Sequence, residues 1–298
     1  MRVEAGSLVT LEVAREVPPN GFFLSDGYQD FLLPYAEIVG SRIQPGDKVE
    51  VFLFHDTQDR IMATMKRPLL TMGQVGLLEV VDIHPRFGYF LEMGLGRHLL
   101  LPYRQVPELD ELRPVVGDKV FVTLTHDRQG RLIAKVALED DLAPLCVRAP
   151  SSWQHQWVKA RVYRPLQMGT FVVCEAGVLG FGVIGLIAPT ERTRLLRLGE
   201  LVDVRVAFVR EEDGRVNVTM RLPKEKGRDE DAERILEVLR SRPGNAMPFS
   251  DKTQADIIKD RFGLSKSAFK RALGKLMKDG VVYQEEDWTY MKQEESQG

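Results

Sequence analysis

Aromatic rings beside a glycine, and an acidic residue four positions before an arginine, are the side chains of this sequence best suited to chemistry. They occur as Phe87-Gly88-Tyr89-Phe90 with Asp127 and Arg131, as Gly21-Phe22-Phe23 with Asp56 and Arg60, and as Gly169-Thr170-Phe171 with Glu211 and Arg215. Exposed rings offer faces on which unpaired bases stack, at ~1–3 kcal/mol per base, and guanidinium groups neutralise phosphates. The set built on Phe87, Phe90, Asp127 and Arg131 is the richest. Phe23 with Arg60 and Phe171 with Arg215 are poorer versions of it. Asp127 is expected to orient Arg131 or to accept from a base amine. Because side chains alternate along a strand, one of Tyr89 and Phe90 must point inward.

Other reactive residues suggest less. The five histidines, at 55, 84, 98, 126 and 155, show no His-x-x-x-His spacing, and Cys146 and Cys174 are too few for a zinc quartet or a disulfide framework. No phosphate loop is present, and Gly94-Leu95-Gly96 lacks the third glycine of a dinucleotide site. His55-Asp56 and His126-Asp127 occupy equivalent places, but Arg210-Glu211 replaces the pair later in the chain, which favours a strand-edge role over catalysis. No metal, cofactor or enzymatic activity is expected.

The elements that position these residues follow from a threefold repeat. Leu32-Leu33-Pro34-Tyr35-Ala36-Glu37, Leu100-Leu101-Pro102-Tyr103-Arg104-Gln105 and Leu186-Ile187-Ala188-Pro189-Thr190-Glu191 recur in the same order as Gly46-Asp47-Lys48-Val49, Gly117-Asp118-Lys119-Val120 and Gly199-Glu200-Leu201-Val202. Ordered recurrence at a spacing of some tens of residues marks homologous units. Segments such as 49–54, 120–125 and 202–209 are rich in β-branched and aromatic residues, and Asp59-Arg60, Gln129-Gly130 and Asp213-Gly214 sit between strand-like runs as hairpin turns do. Further strands are expected at 6–13, 74–82 and 157–163. Five short strands per copy fit a small closed barrel, which leaves no sheet edge exposed.

After Pro223 the pattern changes. Residues 224–231 read as a charged linker, 232–240 as a first helix, and Ser250-Asp251 as the cap of a second helix reaching Arg261 with Ile257 and Ile258 inward. Ser265 caps a third helix running to Lys278. It places Phe269, Ala272, Leu273 and Leu276 on one face and Lys266, Lys270, Arg271, Lys275 and Lys278 on the other. Residues 281–284 and 288–291 then read as the strands of a wing. Helix, short glycine turn, helix and wing resemble a winged-helix domain.

The chain has 298 residues, 44% hydrophobic and 28% charged, which is the composition of a folded globular protein of several domains. Its net charge of −2 is uneven: −3 over 1–67, −3 over 68–145, +4 over 146–223 and zero over 224–298. The positive third segment includes Arg192, Arg194 and Arg197 beside the Leu-Ile block, at the expected rim of its barrel. This segment and the winged helix are expected to supply most of the phosphate affinity. The longest apolar run, 178–189, is well short of the ~20 residues that span a bilayer. With no apolar segment at the N-terminus, a cytoplasmic location without membrane contact is expected.

The order strand, Gly-x-Phe, Leu-Ile-x-x-x-Glu, Gly-(Asp/Glu)-x-Val and Asp-x-x-x-Arg resembles the S1 RNA-binding domain, an OB-fold barrel. The second copy is closest. The first has Asn20, and the third Met168, where the leading aromatic stands. The third also has Glu211 for the aspartate, and Pro34, Pro102 and Ala188 replace a histidine common in S1 domains. The expected architecture is mainly β: S1-like domains at 1–67, 68–145 and 146–223, then a small α/β winged helix at 224–298. In this order the domains resemble the bacterial conserved virulence factor B family, the YitL-like proteins. The resemblance implies a non-catalytic regulator that binds single-stranded RNA and acts after transcription. The alternatives are a winged-helix transcription regulator whose partner is DNA, and a scaffold docking on the ribosome or another protein.

Overall fold

The protein is described by a computed structural model over residues 3–40, 42–56, 58–176, 182–222 and 224–292, without the side chains of 224–229. Residues 178–181 of the long apolar run lie outside the described residues. The chain divides into two compact units, Met1–Arg221 and Leu222–Gly298.

The first unit holds three five-stranded copies. β1 (Leu8–Val17), β2 (Gly21–Ser25), β3 (Asp30–Pro34), β4 (Lys48–His55) and β5 (Ile61–Thr64) close into a barrel in the order β1-β2-β3-β5-β4. The second copy comprises β6 (Val75–His84), β7 (Gly88–Glu92), β8 (His98–Pro102), β9 (Lys119–His126) and β10 (Leu132–Val136). A one-turn helix, α1 (Glu139–Leu142), follows it. The third, made of β11 (Trp157–Leu166), β12 (Gly169–Cys174), β13 (Val183–Ile187), β14 (Leu201–Val209) and β15 (Val216–Thr219), is again closed.

The repeated motifs have local physical causes. Gly21 and Gly88 adopt φ of +145° and +136°, and a Cβ there would stand 2.1 and 2.2 Å from the carbonyl oxygens of Leu33 and Leu101. Only glycine lets the paired strands approach so closely. The acidic residue of the Gly-Asp block ties its own turn: Asp47 accepts from the Gln44 N–H, Asp118 from that of Val115, and Glu200 from that of Arg197.

The three copies differ in how their seams are closed. The first barrel closes through parallel pairing of Leu32 with Met62, and the third through Gly185–Ile187 against Val216–Val218. The second copy has no such ladder and is an open sheet, β10-β9-β6-β7-β8. Its β8–β10 seam is filled on the inside by buried Leu99, Leu101 and Ala134, and opens outward on a cavity lined by Leu100 and Ile133.

The three copies form one unit because their strands are buried on both faces. In β4, Val49, Val51 and Leu53 fill the first barrel while Phe52 and Phe54 enter the core of the second. In β9, Val120, Val122 and Leu124 point inward, and Phe121 packs outward with Leu142, Tyr163 and Val173 near the third barrel. The unbroken run Phe52-Leu53-Phe54 is the sequence signature of a strand covered on both sides.

The second unit comprises α2 (Lys224–Arg240), β16 (Ala246–Met247), α3 (Ala255–Phe262), α4 (Lys266–Lys278), β17 (Val282–Glu285) and β18 (Trp288–Met291), with a sheet in the order β16-β18-β17. Ile235, Leu239, Ile258, Phe262, Phe269 and Leu273 form its core. Residues 224–231 are helical and not a linker, since they hold no proline and Gly227 is the one strong helix-disfavouring residue among them. The second helix starts at Ala255, after Gln254, and only Ile258 faces inward; Ile257 is 43% exposed. Ser265 does cap α4, accepting from the Ala268 N–H. Among the described residues no helix is long and apolar enough to cross a membrane.

Candidate nucleic-acid interface

The second copy gathers its set around one surface. Alternation along β7 buries Tyr89 and leaves Phe90 half-exposed, while Phe87, in the preceding turn, is 53% exposed. Phe87 stacks on His84 at 4.4 Å between ring centroids and 22° between planes, with the Arg86 guanidinium 5.9 Å from its centroid. Opposite stands the β9–β10 turn. There Asp127 accepts from the N–H groups of Gln129 and Arg131 and from the Arg131 side chain, Nε at 2.9 Å and Nη2 at 2.8 Å. Partial burial pulls the Asp127 carboxyl upward, but these hydrogen bonds outweigh it and hold the group below its usual range. Asp127 therefore orients Arg131. Phe87, Phe90, Asp127 and Arg131 together line one cavity of about 350 Å³. A neighbouring cavity shares Phe87, Asp127 and Arg131 and adds Tyr103, Arg104 and Arg128.

The first barrel repeats the turn but not the platform. Asp56 accepts from the Gln58 and Arg60 N–H groups and from the Arg60 guanidinium at 2.7 and 2.8 Å. Phe23 lies under Arg15, whose guanidinium is 4.6 Å from the ring centroid and pairs with Asp30.

The third barrel's set is occupied by the chain itself. Phe171 packs against the cluster containing Leu142 of α1 and Tyr163, and Arg215 pairs with Glu139 of α1 at 2.6 Å and with Asp213. Arg148 donates to the carbonyls of Glu211 and Glu212. The face expected to receive bases is thus an intramolecular joint.

The basic rim is similarly engaged. Arg192 donates to the carbonyls of Leu166 and Gln167, Arg194 pairs with Glu200, and Arg197 reaches Asp118 and Glu200. Half-buried Arg161 donates to the Gly199 carbonyl, and Lys159 pairs with Asp203. These side chains thus satisfy turns and joints within the protein, while Arg194 keeps half of its side chain exposed. The run of cations in the sequence could not show that each faces an acceptor.

In the second unit, α4 exposes Lys270 and Arg271 and half-exposes Lys266 and Lys275; Lys270 stands 3.7 Å from Asp251. An aromatic ladder went unnoticed in the sequence. Tyr283 stacks on Tyr290 at 5.2 Å, and Trp288 lies near-parallel to Tyr290 at 6.3 Å, with Tyr283 and Trp288 41% and 42% exposed. The period-two spacing of 288 and 290, opposite 283, was the available signal. His84 could have been found as the residue three before Phe87. Phe54 and Arg97, which also line the larger cavity, had no signal in any single copy.

The described residues hold no group of three or more histidine, cysteine or carboxylate side chains arranged to bind a metal. Burial pushes the Cys146 thiol up to about 11 and the Cys174 thiol to about 12, so both are poor nucleophiles.

Comparison with known proteins agrees with this architecture. Residues 5–66 match an S1 domain, 75–135 the CvfB first S1-like domain, 143–222 the second domain of virulence regulatory factor CvfB, and 233–291 the CvfB-like winged helix domain. The protein YitL of Bacillus subtilis is 40% identical over 287 residues, 96% of this chain and 93% of that protein. Conserved virulence factor B of Staphylococcus saprophyticus is 31% identical over 241 residues, 80% of this chain and 78% of that protein. A crystal structure from Streptococcus pneumoniae, described as a multidomain protein with nucleic acid binding domains, superposes with a TM-score of 0.62 at 30% identity, covering 97% of this chain and 98% of that one. With every folding block matched in order and relatives of this similarity spanning most of its length, the chain belongs to the conserved virulence factor B family.

Proposed function

We propose that this chain binds single-stranded RNA without catalysis, as a cytoplasmic post-transcriptional regulator. The second S1-like copy holds unstacked bases, and α4 of the winged helix contributes phosphate contacts. The observation that carries the reading is the convergence of Phe87, Phe90 and the Asp127-oriented Arg131 on one cavity. Exposed rings beside a fixed guanidinium are what a single strand requires, since each base has a face to stack and each linkage a charge to neutralise. The nucleic acid binding domains of the pneumococcal structure support the same reading.

A second reading rests on α4, which carries five cations on one face of a capped helix and could enter the major groove of duplex DNA. Fluorescence anisotropy with a short RNA, the matching single-stranded DNA and the DNA duplex, at two salt concentrations, separates the two. Tightest binding to RNA, weakening steeply with salt, is the expected result. Tighter binding to the duplex would replace the first reading with the second. Binding to none of the three, together with capture of the ribosome after nuclease treatment, would favour a docking scaffold.

A further inference from the structure

The larger cavity beside Phe87 is not made by the second S1-like copy alone. From the first barrel it takes Phe54 and His55 of β4 and Asp59 of the following turn; from the second it takes Phe87, Phe90 and Arg97. Arg97 is the central residue. Its guanidinium lies 3.8 Å from the centre of the Phe54 ring and donates through Nη2 to Glu37 of the first barrel at 2.9 Å. Glu37 is buried and also accepts from Thr64 Oγ1 and Lys66 Nζ. Arg97 is thereby fixed across the joint, while its Nε is buried with no hydrogen-bond partner among the described residues. His55 Nδ1, on the same wall, is buried and unpartnered in the same way.

Two buried polar atoms without partners are unusual, because each loses its hydration with nothing in return. Both belong to side chains lining a space bounded by the Phe54, Phe87 and Phe90 rings, whose wall also carries Asp56, Asp59, Asp127 and Arg131. The space lies where β8 and β10 lack a backbone ladder, so Leu100 and Ile133 form its floor. It shares Phe87, Asp127 and Arg131 with the second cavity, where Arg104 and Arg128 stand. An occupant must therefore be planar, offer hydrogen-bonding edge atoms to a donor such as Arg97 Nε–H, and connect to an anionic backbone along Arg131 and Arg128.

We infer that the joint between the first and second barrels is a receptor for one unstacked nucleobase of a bound strand, inserted between the Phe87–Phe90 side and the Arg97–Phe54 side. The Arg97 guanidinium, on a side chain 39% exposed, donates to an edge acceptor of that base. The inference rests on the RNA-binding reading above, but it assigns the base a pocket made by two domains in place of the face of one. The volume, about 350 Å³, lies at the lower end of those of small-ligand pockets and suits a single base with its sugar.

The test uses the full chain and a short end-labelled RNA carrying 2-aminopurine at one position at a time. Anisotropy reads binding of the strand, and 2-aminopurine emission reads the environment of each base. Two substitutions are compared. Phe87→Ala removes an exposed ring. Arg97→Lys keeps a cation beside Glu37 but removes the flat face and the Nε donor. The expected result is an emission change confined to one position and abolished by either substitution, with affinity falling about tenfold, the loss of one stacked base. If Phe87→Ala abolishes the change and Arg97→Lys leaves it intact, the base sits on the second copy alone and the composite pocket is refuted. If the RNA binds with no position-specific change, the pocket is refuted and the RNA reading stands. If the RNA does not bind, both are refuted.

Discussion

Arg197, in the third barrel, reaches Asp118, in the second, with its Nε 3.2 Å from the carboxylate. Its side chain is 32% exposed and that of Asp118 only 11%. A cation that reads in sequence as one of a basic run is, in the fold, part of the joint between two barrels. Replacing Arg197 by alanine leaves Asp118 and Glu200 without one of their partners. Stability should fall by about 1–2 kcal/mol, allowing for partial solvent screening. The salt dependence of nucleic-acid binding should stay the same. Urea denaturation and anisotropy at several salt concentrations check both halves, and a flattened salt dependence would return Arg197 to the phosphate-binding set.

Phe87 and Tyr89 are two residues apart and should behave oppositely. Phe87→Ala removes an exposed ring and should change stability by no more than about 0.5 kcal/mol while weakening RNA binding about five- to a hundred-fold. Tyr89 is buried at 3% exposure in the core of the second copy, so Tyr89→Ala should cost about 3–5 kcal/mol of folding stability. Parallel melts and titrations of the two variants decide this.

That contrast shows what the sequence makes legible. Alternation demanded that one of Tyr89 and Phe90 face inward, and the pleat chooses Tyr89. The Asp-x-x-x-Arg spacing disclosed a turn whose carboxylate fixes its arginine, because that is a local matter of five residues. Arg192, Arg194 and Arg197 carry partners that a run of cations does not disclose: Glu200 in the same turn, the carbonyls of Leu166 and Gln167, and Asp118 in another barrel. Arg97 was invisible because its significance depends on Glu37 and Phe54, more than forty residues away. The open seam between β8 and β10 likewise depends on neighbours that a repeat pattern does not encode. The helix over 224–231 was missed because a charged stretch with one glycine reads as solvent-exposed chain, although nothing in it stops a helix.

Protonation of His55 should loosen the first unit in mild acid. Burial lowers its value from the usual 6.5, nearby His126 lowers it further, and Asp59, Asp127 and Asp56 oppose them. Above the usual value the ring is neutral in both folded and unfolded chains. As pH falls below it, the unfolded chain takes the proton first, so stability declines until pH passes the lowered folded value. The thermal midpoint should therefore drop between about pH 7 and pH 5, and drop less in His55→Asn. Equal declines in the two proteins would exclude His55 as the source.

The exposed cations of α4 offer a cleaner electrostatic test than the third barrel. Neutralising Lys266, Lys270 and Arg271 together should lower the slope of log affinity against log salt by about 2, the value for three phosphate contacts on a single strand. An unchanged slope would remove the winged helix from the phosphate-binding surface.

Neither cysteine should react readily in the folded protein. With Cys146 pushed up to about 11 and Cys174 to about 12, the thiolate fraction at neutral pH is very small. Ellman's reagent should label the native chain slowly and both thiols promptly after unfolding. Prompt labelling of a native thiol would show that its surroundings open.

The seating of α1 against Phe171 and Arg215 bears on stoichiometry. Counting domains suggests three equivalent stations for a strand and a long footprint on each molecule. With the third face closed by the chain and the first presenting its β4–β5 turn to its neighbour, the proposed reading leaves the first unit one station and two fittings that hold it. The footprint of the first unit should then be that of a single barrel and its rim, and a longer oligonucleotide should accommodate more protein molecules than a three-station count allows.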